Sequence, residues 1–243
     1  MGRNGQRGPE TAADFADPIA GNHRRIDTEA WDDIYVVGDV HGCRETFERL
    51  LAELDVAATD LVVCVGDIVR KGPDSKGALS VVRARDNVVS VRGNNEQGLL
   101  DGSKSAPGLD ADDLAYIETL PLAISWDGAL VVHGGLDHRK PIRDHGATDI
   151  LNMRSLGDGG YQRPYWFETR TEEPQVMFGH TVLAEAFETP YAVGLDTGCV
   201  YGGELTAYDW QSGEFTTVEP AETYRERSED SIVSPQPSEP LIE

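Results

Sequence analysis

The chain has 243 residues, of which 39% are apolar, enough to bury the core of one large domain. Lys and Arg number 21 against 43 Asp and Glu, a net charge of −22; a field of that sign repels nucleic acid and anionic membranes, so neither is an expected partner, and it suits a salt-rich cytoplasm. The three cysteines form no zinc pattern or disulfide framework, no apolar run approaches the roughly 20 residues of a membrane span, and the first residues lack a signal-peptide core, so a soluble, cytoplasmic protein with reduced thiols is expected.

Residues 1 to about 27 show little periodicity and are expected to form a flexible N-terminal tail. The β-branched and aromatic run Ile34-Tyr35-Val36-Val37 reads as a buried strand that ends in Gly38-Asp39-Val40-His41-Gly42. Apolar positions at Phe47, Leu50, Leu51 and Leu54 predict a helix over 44–54. A second buried strand, Leu61 to Val65, ends at Gly66-Asp67. A helix is predicted over 75–85, a third strand over 88–91 ending at Gly93-Asn94, and a helix over 110–119. Short strands then follow at 122–125, 129–132, 176–178, 191–195, 205–208 and 215–218. Helix-rich βα units followed by β-rich sequence suggest two packed sheets flanked by helices, within one domain over 28–221. Residues 222–243, charged and then rich in Ser and Pro, are expected to be a disordered acidic tail.

Each of the first three strands delivers polar residues just past its C-terminal end, where open α/β sheets place their ligands. These are Asp39 and His41, Asp67, and Asn94. The second half repeats the pattern with His133 in Val132-His133-Gly134-Gly135 and His180 in Phe178-Gly179-His180. The other histidines, His23, His138 and His145, lie outside this context and are expected to be solvated. Two carboxylates, one amide oxygen and three imidazoles exceed the needs of one four-coordinate ion, and suit two ions sharing a carboxylate. Mixed N and O donors argue for Mn²⁺, with Fe²⁺ or Zn²⁺ as alternatives, over Mg²⁺ alone.

Gly38-Asp39-Val40-His41-Gly42, Gly66-Asp67 with Gly72-Pro73, Gly93-Asn94, His133-Gly134-Gly135 and Gly179-His180 resemble, in order, the motifs of the calcineurin-like metallophosphoesterases. The likeness is to the branch of phosphoprotein phosphatases and symmetrical diadenosine-tetraphosphate hydrolases; Leu195 to Thr206 resembles that branch's C-terminal signature. The resemblance implies a four-layer αββα sandwich of two mixed sheets. It also implies two divalent ions: Asp39 and His41 on the first, Asp67 bridging, and Asn94, His133 and His180 on the second. A hydroxide activated by both ions would attack phosphorus.

Two departures from that pattern fall together. Asn95 stands where the family usually has the histidine that protonates the leaving oxygen, and Arg70-Lys71 stand where its protein phosphatases carry Asp-Arg. Losing a general acid typically costs about 10²–10⁴-fold when the leaving group needs a proton. A serine alkoxide is strongly basic, whereas a phosphate leaving group, with a second pKa of about 6, needs less help. The expected substrates are therefore nucleoside polyphosphates such as diadenosine tetraphosphate, with Arg70, Lys71 and Arg154 on phosphate oxygens. The alternatives are a serine/threonine protein phosphatase acting on phosphoproteins, and a non-catalytic metal or nucleotide sensor. Tyr165-Trp166-Phe167 is either core or a stack for a base.

Overall fold

The structure, a computed structural model, describes residues 15–157 and 160–236. In chain order its strands are β1 (His23–Arg25), β2 (Ile34–Val37), β3 (Leu61–Cys64), β4 (Val88–Ser90), β5 (Ala123–Trp126), β6 (Ala129–Val132), β7 (Gln175–Phe178), β8 (Phe187–Thr189), β9 (Ala192–Gly194), β10 (Leu205–Asp209) and β11 (Phe215–Val218). Its α-helices are α1 (Arg44–Glu53), α2 (Ser75–Arg83), α3 (Asn94–Leu100), α4 (Ala111–Thr119), α5 (Ala147–Asn152) and α6 (Trp166–Thr169). The strands make two mixed sheets, ordered β1-β5-β6-β7-β9-β8 and β11-β10-β2-β3-β4.

Strand alternation builds the layers. Ile34 and Val36 of β2 face inward with Leu61, Val63 and Val89, and meet Ile124, Trp126, Val131 and Met177 of the other sheet. Tyr35 and Val37 face outward with Val62 and Cys64, against Phe47, Leu50 and Leu51 of α1 and Leu79 and Val82 of α2. On the far side Leu130, Val132, Val176 and Phe178 pack under Ile150 and Leu151 of α5 and Trp166 and Phe167 of α6. Three apolar seams separate four layers, α, β, β and α, as the sequence led us to expect. Asp74 and Asp110 accept hydrogen bonds from the first backbone N–H groups of α2 and α4, so both helices start on an aspartate cap.

Parallel register aims the loops. Val36 pairs with Val63, and Val63 with Val89, so β2, β3 and β4 release their chains at one edge. Leu130, Val176 and Ala192 align β6, β7 and β9 in the same way. The connection continues past the strands, where His41 N donates to Asp67 O (2.7 Å) and Gly42 N to Ile68 O (2.7 Å).

The chain ends differ from expectation. Residues 1–14 and 237–243 lie outside the described residues, but the rest of both segments packs. Phe15 and Ile19 are buried in the outer seam, and β1 pairs in parallel with β5. Residues 222–236 run back over the fold: Tyr224 N and Arg225 N donate to Val200 O, and Val233 is buried beside Leu183. Sparse apolar residues rather than a periodic pattern anchor both segments, which is why neither reads as an element.

Candidate metal centre

Asp39, His41 and Asp67 each offer a ligand atom within 4.8 Å of the others, and all three side chains are buried. Asp67 divides its oxygens: Oδ2 lies 3.6 Å from His41 Nε2, and Oδ1 lies 3.4 Å from His133 Nε2. His180 completes that side, its ring centroid 4.9 Å from that of His133. Asn94 Nδ2 donates to Asn152 Oδ1 (3.4 Å), which turns its Oδ1 toward Asn95 (3.3 Å). All six residues singled out by the strand-end pattern therefore meet in one place.

The imidazoles have assigned faces. His133 Nδ1 is 2.8 Å from the carbonyl of Val65, which can only accept, so Nδ1 carries a proton and Nε2 is left facing Asp67. Lys71 Nζ, which can only donate, lies 2.7 Å from His41 Nε2 and places the proton on Nδ1 there. The Nε2 atoms of His133 and His180 are buried with no hydrogen-bond partner among the described residues, and His180 Nδ1 lies 3.3 Å from Arg154 Nη2, which can only donate, so on that ring Nδ1 presents the lone pair. Imidazole nitrogens beside the buried Asp39 and Asp67 carboxylates are what divalent ions satisfy, so the donor set fits two metals.

Electrostatics agrees. Burial, followed by the Lys71 charge, lowers His41 to about 3, and burial with His133 and Arg154 holds His180 well below its usual value, so both stay neutral. Burial raises Asp67, but His133, itself raised against burial by the Asp67 carboxylate, together with Lys71 outweighs it and holds the carboxyl well below the ordinary range. Asp39 goes the other way, pushed well up by burial and by the charges of Asp196 and Asp67. A cluster of buried carboxylates at odds with one another is relieved by added positive charge.

Backbone geometry is tight here. Five of the six described non-glycine residues at positive φ are His41 (49°), Asp67 (51°), Arg70 (75°), Lys71 (66°) and His180 (65°). Each such conformation costs about 1–3 kcal/mol and persists only where its surroundings impose it. Glu96 is part of those surroundings: fully buried, it accepts from the backbone N–H groups of Asp67 (2.9 Å), Val69 (3.0 Å) and Gly93 (2.8 Å). Gly179 admits Asp39, because a Cβ at that position would lie 1.9 Å from Asp39 Oδ1.

A cavity of about 270 Å³ opens onto this centre, lined by Asp39, Asp67, Asn94 and His180, by Asp196 and Tyr201, and by five cations: Arg70, Lys71, Lys104, Arg154 and Arg227. Asn95 sits at its wall, with its Nδ2 donating to Asp67 Oδ2 and its Oδ1 accepting from Arg70 and from Lys104 (3.3 Å). Among the described residues none of the five cations forms an ion pair with a carboxylate. Arg154, expected on phosphate oxygens, is at the cavity, donating to His180 O (3.2 Å).

Lys104, Arg227, Glu96, Asp196 and Tyr201 were not singled out. Glu96, Asp196 and Tyr201 lie inside or beside recognised motifs, while Lys104 and Arg227 occur in segments without any pattern. One expectation is corrected and one alternative is decided. His145 is buried and accepts from Asp137 N (2.9 Å), and His23 meets Ser125 Oγ (2.8 Å), so neither is simply solvated; His138 is half-buried. Trp166 and Phe167 are fully buried, with the Trp166 indole donating to Gly134 O (3.1 Å), so the aromatic cluster is core and no stack for a base.

Comparison with known proteins accords with this geometry. Residues 33–212 match the calcineurin-like phosphoesterase family. The chain is 28% identical to a serine/threonine-protein phosphatase 1 of Salmonella typhimurium, over 76% of this chain and 94% of that one. It is also 28% identical to a symmetrical bis(5'-nucleosyl)-tetraphosphatase of Chromohalobacter salexigens, over 79% and 99%. A crystal structure described as that of a proposed diadenosine tetraphosphatase superposes with a TM-score of 0.73 at 30% identity, covering 81% of this chain and 97% of that one. The chain belongs to the calcineurin-like phosphoesterases, and it is a hydrolase of that metal-dependent family.

Proposed function

We propose that this hydrolase cleaves phosphoanhydride bonds in nucleoside polyphosphates such as diadenosine tetraphosphate, in the cytoplasm and with Mn²⁺ as its favoured ion. Asp39 and His41 would hold one ion, Asn94, His133 and His180 the other, and Asp67 both. Two divalent ions supply Lewis-acid charge and lower the pKa of water there. The chain's own part is to bind and orient. Arg70, Lys71 and Arg154 hold phosphoryl oxygens against the centre, and the buried walls exclude bulk water.

One observation carries the substrate class: the position of the family's acid is an amide whose oxygen is already held by Arg70 and Lys104. No proton is available from Asn95 for a basic alkoxide, but positive charge is available for a departing phosphate. The second reading, a serine/threonine protein phosphatase, is favoured by the name of one relative.

The test is hydrolysis with Mn²⁺ in high salt, comparing diadenosine tetraphosphate with a phosphoserine peptide. A strong preference for the nucleotide, lost in Asp67→Asn, is expected. Equal or faster turnover of the peptide would refute the anhydride reading.

A further inference from the structure

Cations of the cavity wall alternate with tyrosine rings. The Arg154 guanidinium lies 5.0 Å from the Tyr161 ring centroid, and Arg227 lies 5.4 Å from the same ring. Arg227 is also 4.7 Å from the Tyr201 ring, over which Lys71 Nζ sits at 5.2 Å. Each ring thus faces two cations, whose mutual repulsion is offset by the ring faces.

Arg227 belongs to the returning C-terminal segment, which is fastened on both sides of it. Arg225 Nε donates to Lys71 O (3.0 Å), Arg225 N to Val200 O (3.0 Å), and Val233 N to Val182 O (2.8 Å). The Arg227 side chain is itself held: Nε donates to Ser231 O (3.0 Å) and Nη2 to the Tyr161 hydroxyl. Its Nη1 makes no hydrogen bond among the described residues, and no described carboxylate forms an ion pair with it, although its charge reaches the buried Asp196 on the same cavity wall. A preorganised guanidinium on a cavity wall, with one nitrogen unbonded and no carboxylate bound to it, is suited to an anion brought from outside.

We propose that Arg227, together with Arg154, forms a second anion subsite that takes the phosphate group next to the one being cleaved, making Arg227 a specificity-determining residue for polyphosphates over monoesters. The proposal rests on the anhydride reading above and extends it. Lys71 and Arg70 serve the reacting phosphoryl group, Arg154 lies between the two phosphates and touches both, and Arg227 holds the neighbour. One charge-assisted hydrogen bond to a phosphate oxygen is worth roughly tenfold in affinity.

The experiment measures competitive inhibition of p-nitrophenyl phosphate hydrolysis by inorganic tripolyphosphate and by orthophosphate, at fixed free Mn²⁺, in the full chain and in Arg227→Ala and Arg227→Lys. Wild type is expected to favour tripolyphosphate. Arg227→Ala should lose roughly tenfold of that preference, and Arg227→Lys should recover part of it. Equal weakening of both inhibitors in Arg227→Ala, or no preference in wild type, would overturn the subsite. Diadenosine tetraphosphate is run alongside. If wild type prefers tripolyphosphate but does not hydrolyse the dinucleotide, the nucleotide reading fails while the subsite stands.

Discussion

Gly179→Ala tests whether Asp39 sits where the centre requires it. The added Cβ would lie 1.9 Å from Asp39 Oδ1 and 2.6 Å from Val65 Cγ2. The backbone at Gly179 is not in the left-handed region, so alanine is admissible there and the effect is steric. Reaching ordinary contact at 3.4 Å moves the carboxylate by about 1.5 Å. That displacement breaks the hydrogen bonds from His180 N to Asp39 Oδ1 (3.2 Å) and Oδ2 (3.3 Å), and it far exceeds the roughly 0.2 Å tolerance of a metal–ligand distance. A shift of about 1 Å in catalytic geometry costs on the order of 10² in rate, and overpacking costs about 1–3 kcal/mol of stability. With about 2–4 °C per kcal/mol in a domain of this size, the melting temperature should fall by roughly 2–12 °C. The assay is p-nitrophenyl phosphate hydrolysis across a Mn²⁺ titration, with a thermal melt of the same sample. A folded variant whose rate and half-saturating Mn²⁺ both stay within about twofold of wild type would refute the placement of Asp39 at the ions.

Other variants probe the support of the site and the extent of the fold. Glu96→Ala orphans three buried N–H groups, each worth about 1–3 kcal/mol, and should lower stability by at least ~3 kcal/mol in a urea titration while weakening Mn²⁺ activation. A loss below ~1 kcal/mol would mean that Glu96 does not brace the loops. Ile19→Ala removes a fully buried side chain from the outer seam and should cost about 2–5 kcal/mol; a near-neutral melt would place residues 15–22 outside the cooperative unit. Added Mn²⁺ at about 100 times its Kd should stabilise wild type by about 2.7 kcal/mol, and Asp67→Asn should lose most of that gain.

Much of this was legible because buried parallel strands have a strong local signature. Ile34–Val37 and Leu61–Cys64 are β-branched runs that stop at glycine-flanked ligands, and the metal-ligand pattern is a property of those stops. Short edge elements carry no such signature. His23–Arg25 is polar and pairs with β5 alone among the described strands, and Phe187–Thr189 has a single buried residue. The rim cations were hidden for another reason. Arg227 reaches the cavity through the way its segment folds back on Val200 and Val182, a long-range event that no window of sequence contains. Arg70 and Lys71 could be found because they depart from a recognisable motif.

The centre joins distant parts of the chain: the hydrogen bonds from His180 N to the Asp39 carboxylate span 141 residues. At a synthesis rate of about 5–20 residues per second, His180 leaves the ribosome roughly 7–28 s after Asp39. Until then the nascent chain can form the β2–β3–β4 half with its helices, but it lacks His133 and His180 in turn. Completion of the metal centre therefore coincides with closure of the second sheet on the first. Ion binding by a growing chain would report that the slow, high-contact-order step is finished.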